Sequence, residues 1–359
     1  MKKPQRLVGV DVLRGLAIFA VIILHIDEGL QTTPVAWSKI TDFAFFSVPF
    51  FLATAFYLAI SKLYVSKSPY PLFSRLKRLL IPYAAWSIFY LIYKVAKYTV
   101  DRDPNRVLAL FQDPLSLVFF GGASYHLYFL PLLLTGTLLV KLTEFLIARQ
   151  ASWQGIGLVT LVSVLIYEVV LISGNGLKTP GDVAFEPLLA AMLPGGNSNP
   201  QLRLFLVALV WALRCLPYIL VAMLLAHPSL HERWLAFINK QPVLWLVIFI
   251  VFNLFGGLVL PQAVNEVARG YVALIAAIAI SGRLTENALV RNIGLCSFGI
   301  YLIHIFFVEV FQSVAIRIIP SYNSNASTTM LLIASMLIFC ISWGTTSLLL
   351  TNKRFAQIL

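Results

Sequence analysis

Arg14 and His25 stand at the two ends of an apolar run, Gly15-Leu16-Ala17-Ile18-Phe19-Ala20-Val21-Ile22-Ile23-Leu24, that carries no other ionisable group. Placing a guanidinium and an imidazole in such surroundings costs free energy unless each faces a partner or a polar cavity. At about 100° per residue, a helix from Arg14 to His25 returns to within about 20° of its starting direction. The two side chains then share one face, about 16 Å apart along the axis. Taken singly, an arginine near a helix end snorkels to headgroups and a lone histidine is a hydrogen-bonded core residue. On one face together, they present a cation and a group that can exchange a proton near neutral pH.

Three further stretches have residue types suited to chemistry. Phe73-Ser74-Arg75-Leu76-Lys77-Arg78 precedes a long apolar segment. Arg75 and Arg78 are neighbours on a helix face, and cations at a helix N-terminus oppose its dipole unless an anion sits there. A phosphate-rich ligand and ordinary cytoplasmic positive charge are both consistent with this. Ser124-Tyr125-His126-Leu127-Tyr128-Phe129 opens another apolar segment. Its histidine and aromatics suit either an interfacial belt or recognition of a hydroxyl or carbonyl. Finally, Ser297-Phe298-Gly299-Ile300-Tyr301-Leu302-Ile303-His304 is followed by Glu309 in the same segment. Tyr301 and His304 share a face. By helical rise from Arg291, Glu309 is about 27 Å deep, level with His25, so it is either the carboxylate that orients this base or a solvated group at the headgroups.

The elements that must carry these residues follow from composition. Of 359 residues, 59% are hydrophobic and 12% charged, about half the charged share of a soluble protein. The chain reads as an all-α, polytopic integral membrane protein with about ten transmembrane helices, over approximately 8–28, 41–63, 77–100, 124–147, 154–173, 203–226, 241–260, 266–282, 288–314 and 327–351. The first segment is too long, and too polar at its ends, for a cleaved signal. Cys215, Cys296 and Cys340 are far apart and have no metal spacing, so they read as packing residues and no metal is expected. The net charge of +12 is explained by basic residues at the ends of spans, without a nucleic-acid partner.

Lys and Arg are more numerous in the connections on the side of the N-terminus, among them Lys62, Arg75, Lys77, Arg78, Arg149, Arg233 and Arg283. Both termini are therefore expected in the cytoplasm, with His25 towards the outer face. The stretch 106–122 reads as an interfacial or re-entrant segment. The long Gly- and Pro-rich connection 173–201 reads equally as a substrate entrance or as a plain connector. No loop accommodates a soluble domain, so 1–359 is expected to be one transmembrane domain.

These features, in this order, resemble the acyltransferase-3 family of integral membrane acyltransferases. The matching residues are Arg14 with ten residues to His25, Arg75-x-x-Arg78, His126-Leu127-Tyr128-Phe129-Leu130, and Ser297 to His304. The likeness spans nearly the whole chain. Two positions depart from the pattern: Thr54-Ala55-Phe56 stands where relatives usually have Ser-Gly-Phe, and Tyr128 where Trp is common. The chain ends at Leu359 without the esterase-like domain of some relatives, so a stand-alone enzyme is implied.

What the resemblance implies is transfer of an acyl group, commonly acetyl from acetyl-CoA, to a hydroxyl of a sugar, polysaccharide or glycolipid at the outer face of the plasma (inner) membrane. Arg14, Arg75 and Arg78 would hold the CoA phosphates. His25 would act as base, directly or through an acyl-histidine, with Glu309 and His126 as further catalytic groups. Tyr128, Tyr301 and His304 would contact the substrate or the developing oxyanion. The alternative is a proton-coupled transporter or flippase using Arg14, His25, His304 and Glu309 as its pathway, or a protein that binds acyl-CoA without turnover.

Overall fold

The computed structural model describes residues 6–66, 68–176, 184, 185, 187, 199–319 and 321–359. Secondary structure among them is helical throughout. The long elements are α1 (Val8–Ile23), α2 (Val35–Ala44), α3 (Ser47–Ser66), α4 (Leu72–Val100), α5 (Pro104–Leu110), α6 (Phe129–Ala148), α7 (Trp153–Ile172), α8 (Pro200–Ala226), α9 (Pro228–Lys240), α10 (Pro242–Val259), α11 (Gln262–Ser281), α12 (Ala288–Ile318) and α13 (Thr328–Leu349). Ten of these correspond to the ten apolar windows. The short helices α2, α5 and α9 were not distinguished by the windows, because apolar length alone does not separate a short helix from a connection. Most of the connection 173–201, read as an entrance or a connector, lies outside the described residues.

Nine helical segments among the described residues are long and apolar enough to cross a bilayer, α2 and α3 counting as one of them. The exception is α1, which has 16 residues where the sequence suggests a span to residue 28. The polar run Asp27-Glu28-Gly29 ends it: backbone bonds tighten to i→i−3 at His25 and Glu28, and Gly29 takes a positive φ of 81°. A helix this short is tolerated because α1 is enclosed by protein. Most of its residues are buried, and it packs on α3, α11, α12 and α13. Irregular backbone at membrane depth is permitted where protein or a cavity surrounds it.

Side-chain bonds define the relative directions of the helices. Gly9 at the start of α1 approaches α11 so closely that a Cβ there would lie 2.1 Å from the Ala277 carbonyl oxygen. Its N–H donates to Ser281 Oγ at 3.0 Å, so α11 runs antiparallel to α1. Asp11 lies against Gly294 near the start of α12, so α12 runs with α1. α4 runs the same way: Tyr90 bonds to Leu302 and Phe306 of α12, and Lys97 pairs with Glu309 at 2.7 Å. Arg75 and Arg78 therefore lie at the α1 N-terminal end of the bundle, and His25 near the other.

Candidate active site

A cavity of about 680 Å³ lies between α1, α3, α6, α8, α11 and α12. Arg14 and His25 both line it. The same-face arithmetic thus describes their disposition, although His25 stands in the turn beyond Ile23 and not on the helix itself. His126, Tyr128 and Tyr301 line the same cavity.

His25 is held from its own turn. Its Nδ1 lies 2.6 Å from Oε1 of Glu28, and no bond to Nε2 is formed among the described residues. A carboxylate on one ring nitrogen orients the ring and favours the tautomer in which the other nitrogen accepts a proton. The His25 ring lies 5.1 Å from Tyr125 and 5.5 Å from His304, and the His304 ring lies 5.2 Å from His126. Three histidines remote in sequence thus form one continuous ring cluster.

His126 is placed by a hook between α5 and α6. Asp113 Oδ1 accepts from Ser116 N–H at 3.1 Å, and a single π-helical turn covers Ser116–Phe120. The chain then reverses at Gly121 with φ of 81°, where a Cβ would lie 2.5 Å from the Tyr128 nitrogen. Tyr83 of α4 pins the reversal: its hydroxyl accepts from Gly121 N–H and donates to the Val118 carbonyl, each at 3.0 Å. A 3-10 turn, Tyr125–Tyr128, presents His126 to α12. There its Nδ1 meets Ser124 Oγ at 3.0 Å, its Nε2 faces the Leu302 carbonyl at 3.4 Å, and Tyr301 donates its hydroxyl to the His126 carbonyl. The segment read as interfacial or re-entrant is this hook.

Tyr90 stabilises the opposite side of the cluster. Its hydroxyl donates to the Leu302 carbonyl at 2.8 Å and accepts from the Phe306 N–H at 3.2 Å, two groups that pair with each other in a regular helix. The adjacent His304 is fully buried behind His25; its Nδ1 meets the Tyr301 carbonyl at 2.7 Å and its Nε2 has no partner among the described residues.

Four expected groups do not line the cavity. His304 backs it. Glu309 is not the carboxylate on His25: it pairs with Lys97, and Glu28 occupies the orienting position. The depth argument places Glu309 at a similar level but contains no information on which helices touch. Arg75 and Arg78 lie at the α1 N-terminal end of the bundle, outside the cavity that Arg14 lines. At 1.5 Å per residue, Arg78 is about 18 Å along α4 from Tyr90.

The cavity also has groups that the sequence reading does not single out. Arg214 of α8 donates through Nε to Glu266 Oε1 at 2.8 Å, and Glu266 also accepts from Tyr167 at 2.8 Å and Tyr218 at 3.2 Å. Gln262, Asn265 and Arg269 of α11 complete a polar wall. Arg214 and Arg269 are charges within apolar windows, the same criterion that singles out Arg14.

A family model described as an acyltransferase domain matches residues 7–346, which include every group named above. Comparisons with curated proteins and with solved structures give no match. The bundle, the cavity and a family match over nearly the whole chain agree: this multi-pass membrane protein belongs to the acyltransferase-3 family and is a membrane acyltransferase.

Proposed function

We propose that the chain is an O-acyltransferase that moves an acyl group, acetyl from cytoplasmic acetyl-CoA, onto a hydroxyl of a sugar, polysaccharide or glycolipid near the outer face of the inner membrane. In this reading 1–359 is one transmembrane domain with both termini cytoplasmic, and its partners are the bilayer, the acyl-CoA and the acceptor. The observation that carries it is His25, held at Nδ1 by Glu28 and lining a cavity with Nε2 unengaged.

The acceptor oxygen attacks the thioester carbonyl carbon as His25 Nε2 takes the hydroxyl proton. The carbon–sulfur bond then breaks, the thiolate receives that proton, and an ester and free CoA thiol remain. The Tyr128 hydroxyl, which makes no bond among the described residues, is available to the developing oxyanion. His126 and Tyr301 are engaged with each other's segments and act as a positioned wall. Arg75 and Arg78, three residues apart at the other end of the bundle, suit the CoA phosphates. Arg14 lines the cavity between that pair and His25.

The test is purified protein in lipid nanodiscs with acetyl-CoA and a mixture of sugar acceptors, following thiol release and acetyl-ester formation by mass spectrometry. Turnover is expected, and His25→Ala should abolish it while the protein stays monodisperse. Full turnover in that variant would remove His25 from the chemistry.

A further inference from the structure

Among the described residues, the charges lining the cavity do not cancel. Three guanidiniums, Arg14, Arg214 and Arg269, face two carboxyl groups, Glu266 and Asp27. Glu266 is already committed, with one oxygen receiving Arg214 and Tyr218 and the other Tyr167. Asp27 lies in the turn beyond α1 and forms no ion pair among the described residues. Arg14 has no ion-pair partner among the described residues and its Nε is buried without an acceptor. Arg269 donates to backbone oxygens of Asp42 at 3.2 Å and Asn253 at 3.5 Å; the Asp42 carboxylate acts on it from a distance without forming an ion pair, and its Nε lacks an acceptor among the described residues. Arg214 uses Nε for Glu266, and its two terminal nitrogens form no bond among the described residues.

Unpaired guanidiniums in a membrane-embedded cavity are costly and call for an anion. The donor phosphates are a poor candidate for it. Arg269, Gln262 and Asp27 lie towards the His25 end of the bundle, because α11 runs antiparallel to α1, whereas Arg75 and Arg78 lie at the opposite end. A ligand reaching Arg269 from the His25 end is the acceptor.

We infer that the cavity selects an acceptor that carries an anionic group, a sugar carboxylate or a phosphate ester, beside the hydroxyl to be acylated, with Arg269 and Arg214 as its counter-charges. This rests on the acyl-transfer reading for the identity of the ligand as acceptor. Gln262 and Asn265, on the same wall, supply neutral hydrogen-bonding groups for sugar hydroxyls.

Binding tests it separately from catalysis. Methyl glucuronide, glucose 6-phosphate and methyl glucoside are titrated, without donor, against the full-length protein in nanodiscs by ligand-induced thermal stabilisation. At least one charged sugar is expected to bind about tenfold or more tightly than the neutral one, as expected for one charge-assisted hydrogen bond. The two charged sugars distinguish carboxylate from phosphate. Arg269→Gln should erase the difference and Arg269→Lys retain part of it. Equal binding of all three, or no binding of either charged sugar, overturns the inference on wild-type protein alone, whatever the folding of the variants. It also falls if free coenzyme A, and neither charged sugar, shows a stabilisation that Arg269→Gln removes. Selective binding with no acyl transfer to any acceptor would overturn the proposed function and leave the anion site standing.

Discussion

Glu28 Oε1 lies 2.6 Å from Nδ1 of His25, three residues away in the turn that ends α1. The turn therefore does two things: it stops the helix and supplies the carboxylate that orients the proposed base. His25→Ala is expected to lower turnover by about 10²–10⁴-fold, the range for a positioned acid–base group. Glu28→Gln should lower kcat by about tenfold or more with little change in acceptor KM, because it acts through His25. Steady-state kinetics decides; a change confined to KM would make Glu28 a binding group.

The hook that carries His126 depends on Gly121. A side chain there meets the backbone at Leu127 and Tyr128 and must adopt a left-handed conformation, which costs about 1–2 kcal/mol before any collision. Gly121→Ala should lower the thermal unfolding temperature and the turnover together. Unchanged values for both would mean that the hook is not required.

Glu266 is the hub of Arg214, Tyr167 and Tyr218. Glu266→Leu leaves a half-buried guanidinium without its carboxylate and should destabilise by about 1–3 kcal/mol. The double variant Arg214→Met/Glu266→Leu should recover much of that loss. Denaturation of the single and double variants in one detergent measures it; additive losses would argue against a coupled pair.

Lys97 and Glu309 tie α4 to α12 at 2.7 Å. In a double-mutant cycle with alanine the two effects should be non-additive, with a coupling of about 0.5–3 kcal/mol. Zero coupling would separate Glu309 from Lys97 and reopen a direct role for it near the histidine cluster.

Arg75→Ala and Arg78→Ala should each weaken acetyl-CoA binding by about tenfold, more at low salt, if each contacts a donor phosphate. Calorimetric titration with coenzyme A reads this directly. Unchanged affinity in both variants would reduce the pair to topological positive charge.

The sequence alone determined the class of molecule and most of its spans. A bilayer demands about twenty apolar residues per crossing, and that demand is written locally in the chain. It also marked Arg14 and His25, since charge within an apolar run is conspicuous, and helical periodicity put the two on one side. Only the tertiary structure decided which of the marked groups meet. His25, His126 and His304 converge because α1, the Gly121 hook and α12 pack together, and packing between segments more than a hundred residues apart has no local pattern. For the same reason the carboxylate on His25 is Glu28, which the long-helix reading placed within a span, and Glu309 belongs to Lys97. Arg214 and Arg269 were visible as charges in apolar windows, but their shared cavity was not. Periodicity specifies the face of a helix on which a charge lies, and only the neighbouring helix specifies what that face meets.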